Sequence, residues 1–135
     1  MPKRTGPVLV VDDDEAVRDS LKFALELEGL QVRLYAGAAQ LLRDVALPTD
    51  GCLLVDYRMP DMDGLELVAR LRARDVALPA ILITGRLSGD LGRLAADAGF
   101  RRVVEKPFED GSLLEGIHEA LALQTGGRIG LRKTP

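Results

Sequence analysis

The sequence predicts an α/β domain built on a doubly wound, parallel five-stranded sheet in the order 2-1-3-4-5, and three observations carry that prediction. Apolar runs at residues 8–11, 52–55 and 80–83 lack the inside/outside alternation of a half-exposed strand. That is the pattern of strands covered by helices on both faces. Between the runs, apolar residues return at helical spacing, so strand and helix alternate, and right-handed crossovers leave few topologies open. Residues 31–35 and 100–104 mix charges into the pattern, which is tolerable where one flank of a strand faces water, and they are placed at the sheet's two edges.

In chain order, the first strand runs into Asp12-Asp13-Asp14-Glu15, and the first helix shows Val17, Leu21, Ala24 and Leu25, with Gly29 as its stop. A fainter helix is expected over residues 38–45. The third strand meets Asp56 and is followed by Leu65, Val68 and Leu71 at helical spacing; the fourth, behind Pro79, meets Thr84. Leu91, Leu94, Ala95 and Ala98, stopped by Gly99, form the fourth helix. The fifth strand leads into Glu105-Lys106-Pro107, and Leu113, Leu114, Ile117, Ala120 and Leu121 mark the last helix. From Gln124 the periodicity stops in a Gly-containing basic segment, so residues 1–123 are expected to form the domain and 124–135 a flexible tail or linker stub.

Composition limits what such a domain does. At 135 residues and 47% hydrophobic, the chain suits one domain with its own core. A formal charge of -3 argues against nucleic acid or an anionic membrane as a direct partner. One cysteine, Cys52, and one histidine, His118, exclude an internal disulfide and a Cys/His zinc cluster, so a bound metal must be held by oxygen. The apolar run near the start is too short for a signal peptide or membrane span, and a cytoplasmic location is expected.

In an open α/β sheet the ligand site lies beyond the carboxyl ends of the strands. There Asp12, Asp13, Asp56, Thr84 and Lys106 converge on a row that spans about 14 Å at a strand spacing of roughly 4.8 Å. Clustered carboxylates repel one another and shift their pKa values upward unless a cation sits among them. Mg²⁺ suits this inventory, because it takes oxygen ligands and completes its shell with water and phosphate oxygens. A carboxylate is also a competent nucleophile for phosphoryl transfer, with metal, lysine and hydroxyl neutralising the oxygens of the transferring group.

Val10-Val-Asp-Asp-Asp14, Leu54-Val-Asp-Tyr-Arg-Met-Pro-Asp-Met-Asp-Gly64, Ile83-Thr-Gly85 and Glu105-Lys-Pro-Phe-Glu-Asp110 fall in order at the ends of four predicted strands. Together they resemble the receiver domains of two-component response regulators, in particular the FixJ type within the flavodoxin- and CheY-like folds, over about residues 7–123. The resemblance implies that Asp56 accepts a phosphoryl group from a sensor histidine kinase or phosphotransfer protein and later loses it by hydrolysis. It also implies that Asp13, Asp56 and the backbone carbonyl of Arg58 bind Mg²⁺, with Asp12 holding metal-bound water. Lys106 would pair with Asp56 and then the phosphoryl group, Thr84 would report its arrival, and Lys106-Pro107 would be a cis peptide. Switching would alter the face made by the fourth helix, fifth strand and fifth helix, which also serves homodimers in similar receivers.

The chain departs from that pattern at Val103, where the family's switch carries an aromatic ring, and Phe100 is expected to face the other side of the sheet. Arg58 and Arg86 flank the site and are bulky cations. Simpler roles compete elsewhere: Asp14 as a helix N-cap, Asp61 and Asp63 as turn residues, Cys52 as a core hydrophobe and His118 as a surface residue. Arg93 and Asp97 are spaced to pair on an exposed helix or, with Arg101 and Arg102, to join a dimer interface. Two other functions are consistent with the residues. One is a pseudo-receiver that docks partners without phosphate. The other is a haloacid-dehalogenase-like phosphatase using Asp12, Asp14, Thr84 and Lys106, a reading that leaves Asp56 without a role.

Overall fold

The computed structural model describes residues 6–108 and 111–133, with side chains through Ala122. Its elements are β1 (Val8–Val11), α1 (Glu15–Leu27), β2 (Val32–Tyr35), α2 (Ala38–Arg43), β3 (Cys52–Asp56), α3 (Gly64–Ala73), β4 (Ala80–Thr84), α4 (Gly89–Asp97), β5 (Arg102–Glu105) and α5 (Ser112–Lys133). The strands pair in parallel in the order β2-β1-β3-β4-β5. Register aligns Val11 with Val55, Asp56 with Ile83, and Thr84 with Glu105. The polar residues that follow the apolar runs therefore share one edge of the sheet.

Alternate residues of the central strands enter two cores, one on each face. Leu9, Val11, Leu53, Val55 and Leu82 pack with α3 and α4, while Val8, Val10, Leu54, Ile81 and Ile83 pack with α1 and α5. Both faces are dry, which is why these runs do not alternate in polarity. Each such side chain contributes roughly 1.5–3 kcal/mol on burial. Asp14 caps α1 by accepting the Ala16 and Val17 amides, and Gly29 and Gly99, at φ 84° and 91°, follow α1 and α4 in the left-handed conformation that glycine adopts without a Cβ clash.

Several expectations need correction. The second helix ends at Arg43 rather than 45, because the Asp44 carboxylate turns the chain, accepting the Ala46 amide and the Tyr35 hydroxyl. The outer strands are shorter than expected, starting at Val32 and Arg102. Phe100 belongs to the exit of α4, where its amide donates to Ala95 O at 3.0 Å. The two-residue period does not extend outside a strand, so Phe100 packs in the same core as Val103 and not on the opposite face. Arg93 pairs with Asp90 in place of Asp97, in keeping with helical side chains that lean toward the N-terminus. Finally, α5 continues past Gln124 to Lys133. Gly126, Gly127 and Gly130 weaken a helix by about 1 kcal/mol each but do not stop it as proline would.

Candidate functional site

Burial of β3 carries Asp56, its last residue, to the centre of the sheet edge, where the residue is 6% exposed. On one side β1 delivers Asp12, which is fully buried, and the exposed Asp13. Carboxylate oxygens of Asp12, Asp13 and Asp56 lie within 4.8 Å of one another. From the other side Lys106, just after β5, reaches across the edge. Its Nζ lies 3.2 Å from Asp12 Oδ2 and 3.3 Å from Asp56 Oδ1. The Lys106-Pro107 peptide is cis, as the resemblance implies.

These contacts set the electrostatics. Burial, and then the charge of Asp12, push the Asp56 carboxyl up to about 6, against the pull of Lys106. The two carboxylates in turn hold the Lys106 ammonium above its ordinary value despite partial burial. Carboxylate oxygens at this range fit a hard, oxygen-seeking divalent cation, whose charge would relieve the repulsion now met by one lysine. Among the described residues, every buried side-chain nitrogen and oxygen has a hydrogen-bond partner.

Thr84 ends β4 beside Asp56 and is 3% exposed. Its hydroxyl donates to Arg86 O at 3.1 Å and accepts from Arg86 N at 3.2 Å. Val103, half-buried, pairs with Leu82 in the sheet. Arg58 is exposed, its guanidinium 5.8 Å from the Tyr57 ring centroid. Asp14 is not part of the cluster of Asp12, Asp13 and Asp56; its carboxylate caps α1. Cys52 is buried and its thiol is pushed up to about 12, which suits a core residue, and His118 is exposed.

Two neighbours, Arg18 and Glu105, carried no assigned role in the sequence, and a third, Asp61, was expected only as a turn residue. Arg18 donates to Asp12 O at 2.8 Å and steadies the β1–α1 loop. Glu105 Oε2 accepts the Leu87 amide at 3.3 Å, and Asp61 Oδ2 accepts the Ala39 amide at 2.8 Å. The Glu105 and Asp61 contacts join segments 18 and 22 residues apart, and no local spacing announces them.

The sequence model of the response regulator receiver domain matches residues 8–118. The transcriptional regulatory protein FixJ of Azorhizobium caulinodans is 41% identical over 116 residues, covering 85% of this chain and 54% of that protein. The chain thus spans about half the length of such relatives. The structure of FixJ-N is 37% identical, with a TM-score of 0.81, covering 90% of this chain and 96% of its own. A receiver domain protein from Methanospirillum hungatei is 33% identical, with a TM-score of 0.80, covering 90% of this chain and 97% of its own. With its sheet order, its acidic cluster and the lysine that closes it all on one strand edge, this chain belongs to the response regulator receiver domain family.

Proposed function

We propose that the chain is a phosphorylation switch in which Asp56 takes a phosphoryl group from a histidine kinase or a phosphotransfer protein. A carboxylate oxygen of Asp56 attacks phosphorus, the bond from phosphorus to the donor's histidine nitrogen breaks, and that nitrogen regains a proton. Hydrolysis later returns the carboxylate and inorganic phosphate. The observation that carries this reading is the buried Asp56 carboxylate, gathered with Asp12 and Asp13 and paired with Lys106.

Asp13, Asp56 and the Arg58 carbonyl would hold Mg²⁺, with Asp12 holding its water. When bound, the ion neutralises charge on the transferring oxygens. Lys106 remains on the phosphoryl group. Thr84 then exchanges its contacts with Arg86 for a phosphoryl oxygen, and the loop before α4 follows. Val103 has no ring to rotate, so the signal passes to the α4-β5-α5 face through loop backbone. Arg102, on that face, pairs with Glu115 and Glu119 of its own α5, which leaves Arg101 as the arginine a homodimer would use there.

The receiver is assigned residues 1–123, working in the cytoplasm and signalling to a protein partner or an attached output segment; no helix among the described residues is long and apolar enough to cross a membrane. Relatives named as transcriptional regulators make a transcriptional output the favoured one. The domain itself is not assigned nucleic-acid binding.

Intact mass after incubation with acetyl phosphate, with and without Mg²⁺, tests the reading. The expected result is a Mg²⁺-dependent gain of one phosphoryl group that Asp56→Asn abolishes while keeping its fold. No gain with any donor would favour the pseudo-receiver, and donor turnover that persists in Asp56→Asn would revive the phosphatase.

A further inference from the structure

We infer that Asp61 is a positioning residue for the metal site, holding the loop that carries the Arg58 carbonyl against the start of α2. The inference rests on the proposed role of Arg58. At the N-cap of α2 stands Gly37, which has no side chain to offer the first amides of the helix. Asp61, 22 residues further on, supplies the missing acceptor: the Ala39 amide donates to its Oδ2 at 2.8 Å. Its Oδ1 accepts the Met62 amide at 3.1 Å. The Ala39 amide first, with Met62 and Ala38 after it, holds the Asp61 carboxyl below its ordinary value. Asp61 therefore fastens two segments at once, as a helix cap and as a loop brace.

The loop between β3 and α3 is tied at its ends by Tyr57 N to Ile83 O at 2.8 Å and Gly64 N to Tyr57 O at 2.9 Å. Midway, its fastenings are the buried Met59 side chain, the half-buried Met62 packed against the same core, and the Asp61 carboxylate, which alone of them reaches α2. Arg58 lies on that middle stretch. Without Asp61, the Ala39 amide loses its acceptor and the stretch keeps only its apolar anchors, Met59 and Met62, with no tie to α2. Mg²⁺ demands near-ideal octahedral geometry, so small displacements of a carbonyl ligand are felt in its affinity.

The test is Mg²⁺ titration by calorimetry on the whole chain, comparing the wild type with Asp61→Ala, Asp61→Asn and Arg74→Met. Asn keeps a carbonyl oxygen for Ala39 without the charge. Arg74→Met removes the bond from Arg74 to Leu42 O, which ties α3 to the far end of α2 at 2.7 Å. Asp61→Ala is expected to bind Mg²⁺ on the order of tenfold more weakly, with Asp61→Asn and Arg74→Met within about twofold of wild type. Hydrogen exchange at the Ala39 amide should quicken in Asp61→Ala alone. Wild-type affinity in Asp61→Ala would overturn the inference. An equal loss in Arg74→Met, which would mean general loosening of α2, or in Asp61→Asn, which would mean a charge effect, would overturn it too. A wild type that binds no Mg²⁺ would fail the underlying metal reading, and this inference with it.

Discussion

The two loops that flank Asp56 are held in different ways. The β3–α3 loop is tied by backbone bonds at both ends, by the buried Met59, by Asp61 on α2 and by Asp63, which caps α3 through the Glu66 amide. The β4–α4 loop leans on the Thr84 hydroxyl, on Glu105 at 3.3 Å from the Leu87 amide, and on the Ser88 cap of α4, with Leu87 itself exposed. Backbone bonds at both ends and a buried side chain hold the first, with the Asp61 and Asp63 carboxylates added to them. Polar contacts that another acceptor can displace hold the second. The difference teaches how one small domain fastens one loop beside Asp56 to its core and the other mainly by exposed polar contacts, the arrangement that the proposed switch through Thr84 requires.

The largest effect is expected where the β3–α3 loop meets α3. A Cβ at Gly64 would stand 2.8 Å from Asp56 O and 2.9 Å from side-chain carbons of Leu82 and Val55, so α3 lies this close to β3 and β4 only because residue 64 lacks one. Gly64→Ala should destabilise the fold by about 2–3 kcal/mol, read by urea denaturation. A neutral result would show that this packing yields, and the contrast between the loops would weaken.

A smaller effect concerns charge at Asp56. With its carboxyl at about 6, Asp56 binds its proton more tightly in the folded chain than in the unfolded one, where the ordinary value is 3.8. Metal-free stability should therefore fall as pH rises from about 4 through about 6. The shift corresponds to at most about 3 kcal/mol, reduced to on the order of 1–2 kcal/mol by solvent and salt at this open edge. Asp56→Asn should remove that component of the slope and saturating Mg²⁺ should oppose it, both checked by thermal melts across that range. An unchanged slope in the variant would place the strained proton on another group.

The smallest effect is expected in the β4–α4 loop. Glu105→Ala removes one exposed contact to Leu87, so stability should change by less than about 0.5 kcal/mol. Hydrogen exchange at the Leu87 amide should nonetheless quicken measurably. If it does not, the loop is held by something other than the Glu105 carboxylate, and the contrast with the β3–α3 loop narrows.

Much of this was legible in the chain itself, and the misses have a common cause. The uninterrupted run Leu53-Leu54-Val55 announces a strand covered on both faces, and Asp56 at its end announces a site, because a charge directly after a buried strand needs a partner. Helix stops at Gly29 and Gly99 and the Asp14 cap follow from local conformational preference. The early end of α2 was not legible, since it depends on Asp44 meeting Tyr35 nine residues away. Nor was the side on which Phe100 packs, which the exit of α4 decides through Ala95.

By itself, then, the sequence determined what is periodic or local: the number and order of strands and helices, the two-faced core and the polar residues at the strand ends. Only the tertiary structure decided the pairings across the chain. These are Lys106 with Asp12, Asp61 with Ala39 and Glu105 with Leu87. The physical reason is range. Hydrophobic periodicity is written within a few residues, whereas a hydrogen bond between segments as far apart as 94 residues depends on how the sheet brings their ends together.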